Sequence, residues 1–289
     1  MKEIVKEKIA SLLSGDEEIQ SVEQLGGMTN QNYLVQTSSN RYIVKFFGKG
    51  TEKLIDRQNE KFNLELLKDL RLDVENYLFD IEAGIKVNQY IENAETLDSA
   101  TIKTKFEKIA PILQTIHASG KELKGEFAPF EEIKKYESLI QGEISYPNYE
   151  AVRKSVLSLK NELEKIGVDK KSCHIDLVPE NFIEAPDGHL YLIDWEYSSM
   201  NDPMWDLAAL FLESEFTTDE EDSFLSYYES EQTPVSREKI RIYKILQDII
   251  WSLWTIYKEE NGADFGDYGI TRYNRAVKEL QSQGGIDED

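Results

Sequence analysis

His174-Ile-Asp176-Leu-Val-Pro-Glu-Asn181, followed by Leu192-Ile-Asp194-Trp-Glu196-Tyr197, decides how this chain is read. The segment joining the two runs, Asn-Phe-Ile-Glu-Ala-Pro-Asp-Gly-His-Leu-Tyr-Leu-Ile-Asp, has the alternation of a β-hairpin with Asp187-Gly188 at its tip. Counted outward from that tip, position 181 faces position 194. The open end of the hairpin is therefore expected to hold an Asn oxygen beside an Asp carboxylate, with Asp176 in the loop just before. Converging hard oxygen donors suit Mg²⁺ on nucleotide phosphates.

Four residues separate Asp176 from Asn181, the spacing of the His-x-Asp-x4-Asn loop used in kinase phosphoryl transfer. In that reading Asp176 takes or orients the proton of an acceptor hydroxyl, and Asn181 and Asp194 are the metal ligands. His174 braces the loop. A single His-x-Asp is common in capped turns; two matching runs that bracket a hairpin are more specific. A metal-dependent hydrolase also gathers His, Asp and Asn, but it has no use for the two residues considered next.

Lys45 lies in Arg-Tyr-Ile-Val-Lys-Phe-Phe, an alternating strand rich in β-branched and aromatic residues. A lysine pointing inward from such a strand needs an anion. Glu60, sharing a helical face with Leu64 and Leu67, is the expected partner. Such a pair sets an ammonium beside nucleotide phosphates, whereas singly each residue reads equally well as a solvated surface group. Gly26-Gly27-Met28-Thr29-Asn30 falls where a loop would cover the phosphates, with Thr29 and Asn30 as contacts. It lacks the Gly-x-Gly-x-x-Gly pattern and also fits a plain hairpin turn. Val87-Asn-Gln89-Tyr-Ile91 is placed by its position in the layout as the connector whose Gln89 and Ile91 backbone groups meet adenine.

The rest of the chain agrees with two lobes. A first helix is expected over Lys2–Leu13. Strands follow at 21–26, 31–36, 41–47, 72–79 and 84–90, interrupted by a helix over Thr51–Leu70. Helices dominate after residue 94. This is an α+β, two-lobed, protein-kinase-like layout, with a nucleotide-binding lobe over 1–90 and a catalytic and substrate-binding lobe over 91–289. At 289 residues the chain can bury a sizeable core. It has no apolar run of membrane-spanning length, its charged N-terminus is unlike a signal peptide, and its one cysteine, Cys173, excludes an intrachain disulfide framework. A cytoplasmic location is expected. The net charge of −22 disfavours nucleic acid and anionic membrane surfaces and favours cationic partners, although acidity also serves solubility. His117 reads as a buried, hydrogen-bonded structural residue, His189 as a solvent-facing turn residue, and Cys173 as a small buried side chain.

Gly-Gly-Met-Thr-Asn at 26–30, Ile-Asp-Arg-Gln-Asn-Glu at 55–60, Tyr-Ile-Glu-Asn-Ala at 90–94, His-Ile-Asp at 174–176 and Ile-Asp-Trp-Glu-Tyr-Ser-Ser at 193–199 resemble the choline/ethanolamine kinase family. The likeness runs from about residue 20 to 277. That family shares the fold of the aminoglycoside phosphotransferases. The resemblance implies an ATP- and Mg²⁺-dependent choline kinase that makes phosphocholine, and its compactness fits bacterial members. It further implies that Tyr197, Glu213, Trp251, Trp254 and Tyr268 line a choline pocket, and that Asp206 anchors the catalytic loop. Aromatic faces suit a quaternary ammonium that cannot donate a hydrogen bond, although Trp251 and Trp254 at helical spacing also read as core. Trp195 stands where the family more often has Phe, and the short tail leaves Tyr268 and Tyr273 as alternatives. Ethanolamine or an aminoglycoside as acceptor, or a non-catalytic nucleotide-binding regulator, are the rival readings. A small cationic substrate is the expected partner, for a monomer or homodimer.

Overall fold

The computed structural model describes residues 2–9, 12–13, 17–27, 30–48 and 50–282. The chain begins with α1 (Lys2–Ile9), β1 (Ile19–Gln24), β2 (Gln31–Thr37) and β3 (Arg41–Phe46). After α2 (Arg57–Leu67) come β4 (Asn76–Asp80), β5 (Ile85–Gln89) and β6 (Glu95–Thr96). Next are α3 (Phe106–His117), α4 (Pro129–Leu139), α5 (Tyr149–Ile166) and β7 (Lys171–Cys173). The hairpin β8 (Phe182–Glu184) and β9 (Leu190–Leu192) precedes β10 (Ser199–Asn201). The chain closes with α6 (Pro203–Glu213), α7 (Thr218–Tyr228), α8 (Arg237–Glu260) and α9 (Tyr268–Ser282).

Two compact units result: Met1–Asp98 with Glu180–Tyr197, and Ser99–Pro179 with Ser198–Asp289. The hairpin thus belongs with the first unit, whereas a cut after residue 90 assigns it to the second. Pairing explains this, because β6 joins β8 through Glu95↔Glu184 and Thr96↔Ile183.

The first unit is built on an antiparallel sheet of order β1-β2-β3-β5-β4. Val5 and Ile9 of α1 pack with Tyr33, Val35, Val44, Ile85 and Val87. Because side chains alternate along a strand, that packing sends Lys45 to the opposite face. Lys86, directly across the ladder from Lys45, goes with it. Helix α2 is shorter than its pattern suggests. Asp56 caps it by accepting from the Gln58 and Asn59 N–H groups, and only a short 3₁₀ turn, Thr51–Lys53, stands before it.

The hairpin register differs from expectation by one residue. Phe182 pairs with Leu192 and Glu184 with Leu190, while the Ala185 N–H donates to His189 O at 2.8 Å. The loop is therefore Pro186-Asp187-Gly188, with Gly188 in the left-handed region at φ 86°. Proline and aspartate begin the turn and glycine takes the left-handed place that closes a three-residue connection. Position 181 consequently faces 193, not 194.

The second unit is helical apart from the antiparallel pair β7 and β10. Every residue of α6 from Pro203 to Phe211 is buried, and Asp206 is the one charge in that stretch. A helix apolar all round belongs in a core, so a carboxylate there must be fully hydrogen-bonded. Among the described residues no helix is long and apolar enough to cross a membrane.

Candidate active site

The candidate side chains fall into two sets, one in each unit. In the first unit, Lys45 Nζ lies 2.6 Å from Asp194 Oδ1, with the Lys45 side chain 7% exposed and that of Asp194 27% exposed. Burial alone would lower the Lys45 pKa; Asp194, and then Glu196, outweigh it and raise the ammonium above its usual value. The expected Lys45–Glu60 pair is not what forms. Glu60 accepts instead from Lys86 at 2.5 Å and from Arg57 at 2.6 Å, and all three side chains are buried. Lys86 had the same signal as Lys45, a lysine in the alternating run Ile85-Lys86-Val87, and sequence reasoning passed over it.

Arg57 connects three segments. Its Nη1 also donates to Glu196 Oε2 at 2.9 Å and its Nη2 to Asn30 Oδ1 at 3.0 Å. Asn30 Nδ2 in turn donates to Glu196 Oε2 at 2.7 Å. The Arg57 guanidinium carbon lies 4.1 Å from the Phe47 ring centroid. Asn30, expected at the phosphates, therefore has both ends of its amide engaged within the protein, where it ties the loop after β1 to the segment after β9. Thr29 lies outside the described residues. Burial alone would raise the Glu60 pKa; Lys86, and then Arg57, outweigh it and hold the carboxyl below the usual carboxylate range. Burial and the Asp194 charge push Glu196 up, against Lys45 and Arg57.

The Ile193 N–H donates to Asn181 O at 2.8 Å, which sets Asn181 one residue from alignment with Asp194. Asp194 has φ 67°, a left-handed backbone uncommon for a residue other than glycine, and such outliers cluster at functional sites. A partly exposed carboxylate and a side-chain amide oxygen are hard donors of the kind that fit Mg²⁺. Trp195 is 1% exposed and donates its indole N–H to Leu192 O at 2.8 Å, so the larger ring fills the slot with its polar group satisfied. Tyr197, half-buried, ends the short 3₁₀ turn Trp195–Tyr197. At the end of β5 the Gln89 N–H donates to Glu75 O, and Ile91 O accepts from the Ala94 N–H.

In the second unit, Asp206 organises the loop that carries Asp176. Its Oδ2 accepts from the His174 N–H and its Oδ1 from the Ile175 N–H, both at 2.8 Å. Trp205 donates to Ile175 O at 3.0 Å. These bonds hold Ile175 at φ 79°, a strained conformation for a β-branched residue, and leave Asp176 half-buried. His117 bridges Asp206 Oδ2 at 3.0 Å and the Tyr228 hydroxyl at 2.8 Å. With Cys173 these groups form the one His/Cys/Asp/Glu cluster of metal-binding size among the described residues. Its ring nitrogens and carboxylate oxygens are already committed to hydrogen bonds, and burial pushes the Cys173 thiol well up. The cluster is a polar brace.

Of the residues expected at the acceptor, those of the second unit lie on α6, α8 and α9. Trp251 and Trp254 are both buried, with ring centroids 6.3 Å apart in an edge-to-face arrangement. Phe265, absent from the expected set, packs 5.0 Å from Trp254, and Lys258 Nζ lies 5.8 Å from the Trp254 ring centroid. Glu213 is ion-paired with Arg272, which also donates to the Tyr268 hydroxyl at 2.8 Å. Tyr273 is 1% exposed, stacks on Tyr146 and donates to Pro147 O at 2.5 Å. Of the two tyrosines left open by the sequence, Tyr268 is the one beside Glu213. Arg57 and Arg272 were missed because an arginine on a polar helix gives no periodicity signal of burial.

A family model described as choline/ethanolamine kinase matches residues 22–242. Protein LicA of Haemophilus influenzae is 30% identical over 268 residues, 89% of this chain and 79% of that one. The crystal structure of choline kinase LicA from Streptococcus pneumoniae is 76% identical, covers 98% of this chain and 99% of its own, and superposes with a TM-score of 0.95. A structure of LicA in complex with AMP is 78% identical over 97% of this chain and 98% of its own, with a TM-score of 0.92.

Proposed function

The chain belongs to the choline/ethanolamine kinase family, and we propose that it transfers the γ-phosphoryl group of ATP to the hydroxyl of choline, giving phosphocholine and ADP. The observation that carries this reading is 76% identity, across 98% of the chain, to a structure described as a choline kinase. The AMP complex of a LicA 78% identical to this chain supports an adenine nucleotide as the donor.

Residues of the first unit serve the nucleotide. Gln89 and Ile91 offer backbone groups to adenine. Lys45, kept charged by Asp194 and Glu196, neutralises phosphate oxygens. Asn181 and Asp194 would hold Mg²⁺, which supplies charge neutralisation on the transferring phosphoryl group when bound. The Glu60–Arg57–Glu196–Asn30 network positions these groups without touching the reacting atoms.

Residues of the second unit serve the acceptor. Asp176 orients the choline hydroxyl and takes its proton as the oxygen–phosphorus bond forms and the bond to ADP breaks. Asp206 keeps that carboxylate placed through the His174 and Ile175 amides. Trp251, Trp254 and Tyr268 offer ring faces to the quaternary ammonium, and Glu213 offers a carboxylate. The location is cytoplasmic, where ATP is available, and the protein acts as a monomer or homodimer. Asp176→Ala tests the assignment: kcat should fall by about 10²–10⁴ with ATP binding kept, and retained turnover sinks Asp176 as the base.

A further inference from the structure

A buried guanidinium stands among the residues proposed to receive a cation. Arg272 lies one turn after Tyr268 on α9, with its side chain 4% exposed. Its Nη1 is shared between Glu213 Oε1 and the Tyr268 hydroxyl oxygen, the latter at 2.8 Å. Its Nε lies 3.2 Å from Asp248 Oδ1, and its guanidinium carbon is 5.2 Å from the Tyr268 ring centroid. Asp248 is gripped in addition by both ends of the Arg275 fork, at 2.6 and 2.7 Å. Two carboxylates and two guanidinium groups thus form a cluster with no net charge.

An attractive field for an ammonium is weakened by a neighbouring arginine, so electrostatic pull on the substrate does not account for this residue. Its geometry does. A planar fork with several fixed donors holds two partners in one arrangement, which a lysine ammonium cannot do. Glu213 and Tyr268 come from different helices, α6 and α9, and Arg272 Nη1 is the atom that both of them bind.

We infer that Arg272 is a positioning residue for the acceptor site, fixing the carboxylate and the phenol that meet the choline ammonium; this rests on the choline reading above. Two further facts support it. The Tyr268 phenol is pushed up to about 12, by burial foremost, with Arg272 opposing and Glu213 and Asp176 adding to the rise, so it keeps its proton at neutral pH. Its oxygen accepts from Arg272, which leaves the O–H as the donor near the Asp176 charge. Arg272 Nη2 is buried without a hydrogen-bond acceptor among the described residues. Leaving a buried donor unsatisfied carries a cost, and a residue kept there despite that cost fits a demand for exact placement over stability.

The test measures choline KM at saturating ATP and ATP KM at saturating choline for Arg272→Met, Arg272→Lys, Glu213→Gln, Tyr268→Phe and the Glu213→Gln/Tyr268→Phe double variant. Arg272→Met should raise choline KM tenfold or more and leave ATP KM within twofold, with Arg272→Lys between it and the unaltered enzyme. Glu213→Gln and Tyr268→Phe should each raise choline KM, and the double variant by less than the product of the two. Choline KM within twofold in folded Arg272→Met, an equal rise in both KM values, or single effects that simply multiply would each overturn the inference. If Arg272→Met does not fold, the Glu213/Tyr268 cycle decides alone. An unaltered enzyme that does not turn over choline is a different result, and overturns the substrate reading beneath.

Discussion

Lys45 Nζ lies 2.6 Å from Asp194 Oδ1, while Glu60, a helix away, is held by Lys86 at 2.5 Å. Two lysines paired across one ladder thus have separate carboxylate partners, one partly open to solvent and one buried. On the function proposed above, the open pair is the one that would exchange with phosphate oxygens, whereas the closed pair joins the sheet to α2.

Lys86→Met should therefore destabilise the protein more than Lys45→Met. Removing one partner of a buried ion pair costs about 3–5 kcal/mol, and the low end is expected because Arg57 still holds Glu60 Oε2. In Lys45→Met the Asp194 side chain, 27% exposed, stays hydrated, so the stability loss is about 1 kcal/mol or less, yet turnover collapses. Denaturant unfolding of both variants checks the order; equal losses contradict the division.

The same cluster sets a pH dependence. Against burial, Lys86 and Arg57 hold Glu60 below its ordinary value of 4.5. A carboxyl depressed in the folded state adds stability above its unfolded pKa and loses it as pH falls through the folded pKa. The stability gap between the unaltered protein and Glu60→Gln should thus be full at pH 7 and shrink as pH drops below about 4.5. A gap that widens on acidification contradicts the sign.

On the acceptor side, Trp254→Leu keeps apolar volume and removes the ring face. Loss of one cation–π contact of about 0.5–2 kcal/mol corresponds to a rise of roughly 2- to 30-fold in choline KM, with ATP KM unchanged. An unmoved choline KM removes Trp254 from the acceptor site and leaves it as core.

The fold class and the hairpin could be read from Asp176, Asn181 and Asp194 because turn chemistry and spacing are local. The exact register could not be reached by assuming a two-residue tip, although Pro186-Asp187-Gly188 carries the signature of the longer loop. The partner of Glu60 was out of reach for another reason. Lys45 and Lys86 are directly opposed in the ladder, and which of them meets α2 depends on tertiary packing. The brace from Tyr228 through His117 to Asp206 joins three helices, and sequence separation hides such contacts. Arg57 and Arg272 share a further difficulty: buried charge is rare, so a reading based on hydrophobic pattern assigns arginines to the surface.

The most direct measurement is ADP release by the purified protein with ATP and Mg²⁺, against choline, ethanolamine and kanamycin separately, with the phosphorylated product identified. Strong turnover with choline, giving phosphocholine, is the predicted result. Turnover with kanamycin alone, or with none of the three, would contradict the proposed function.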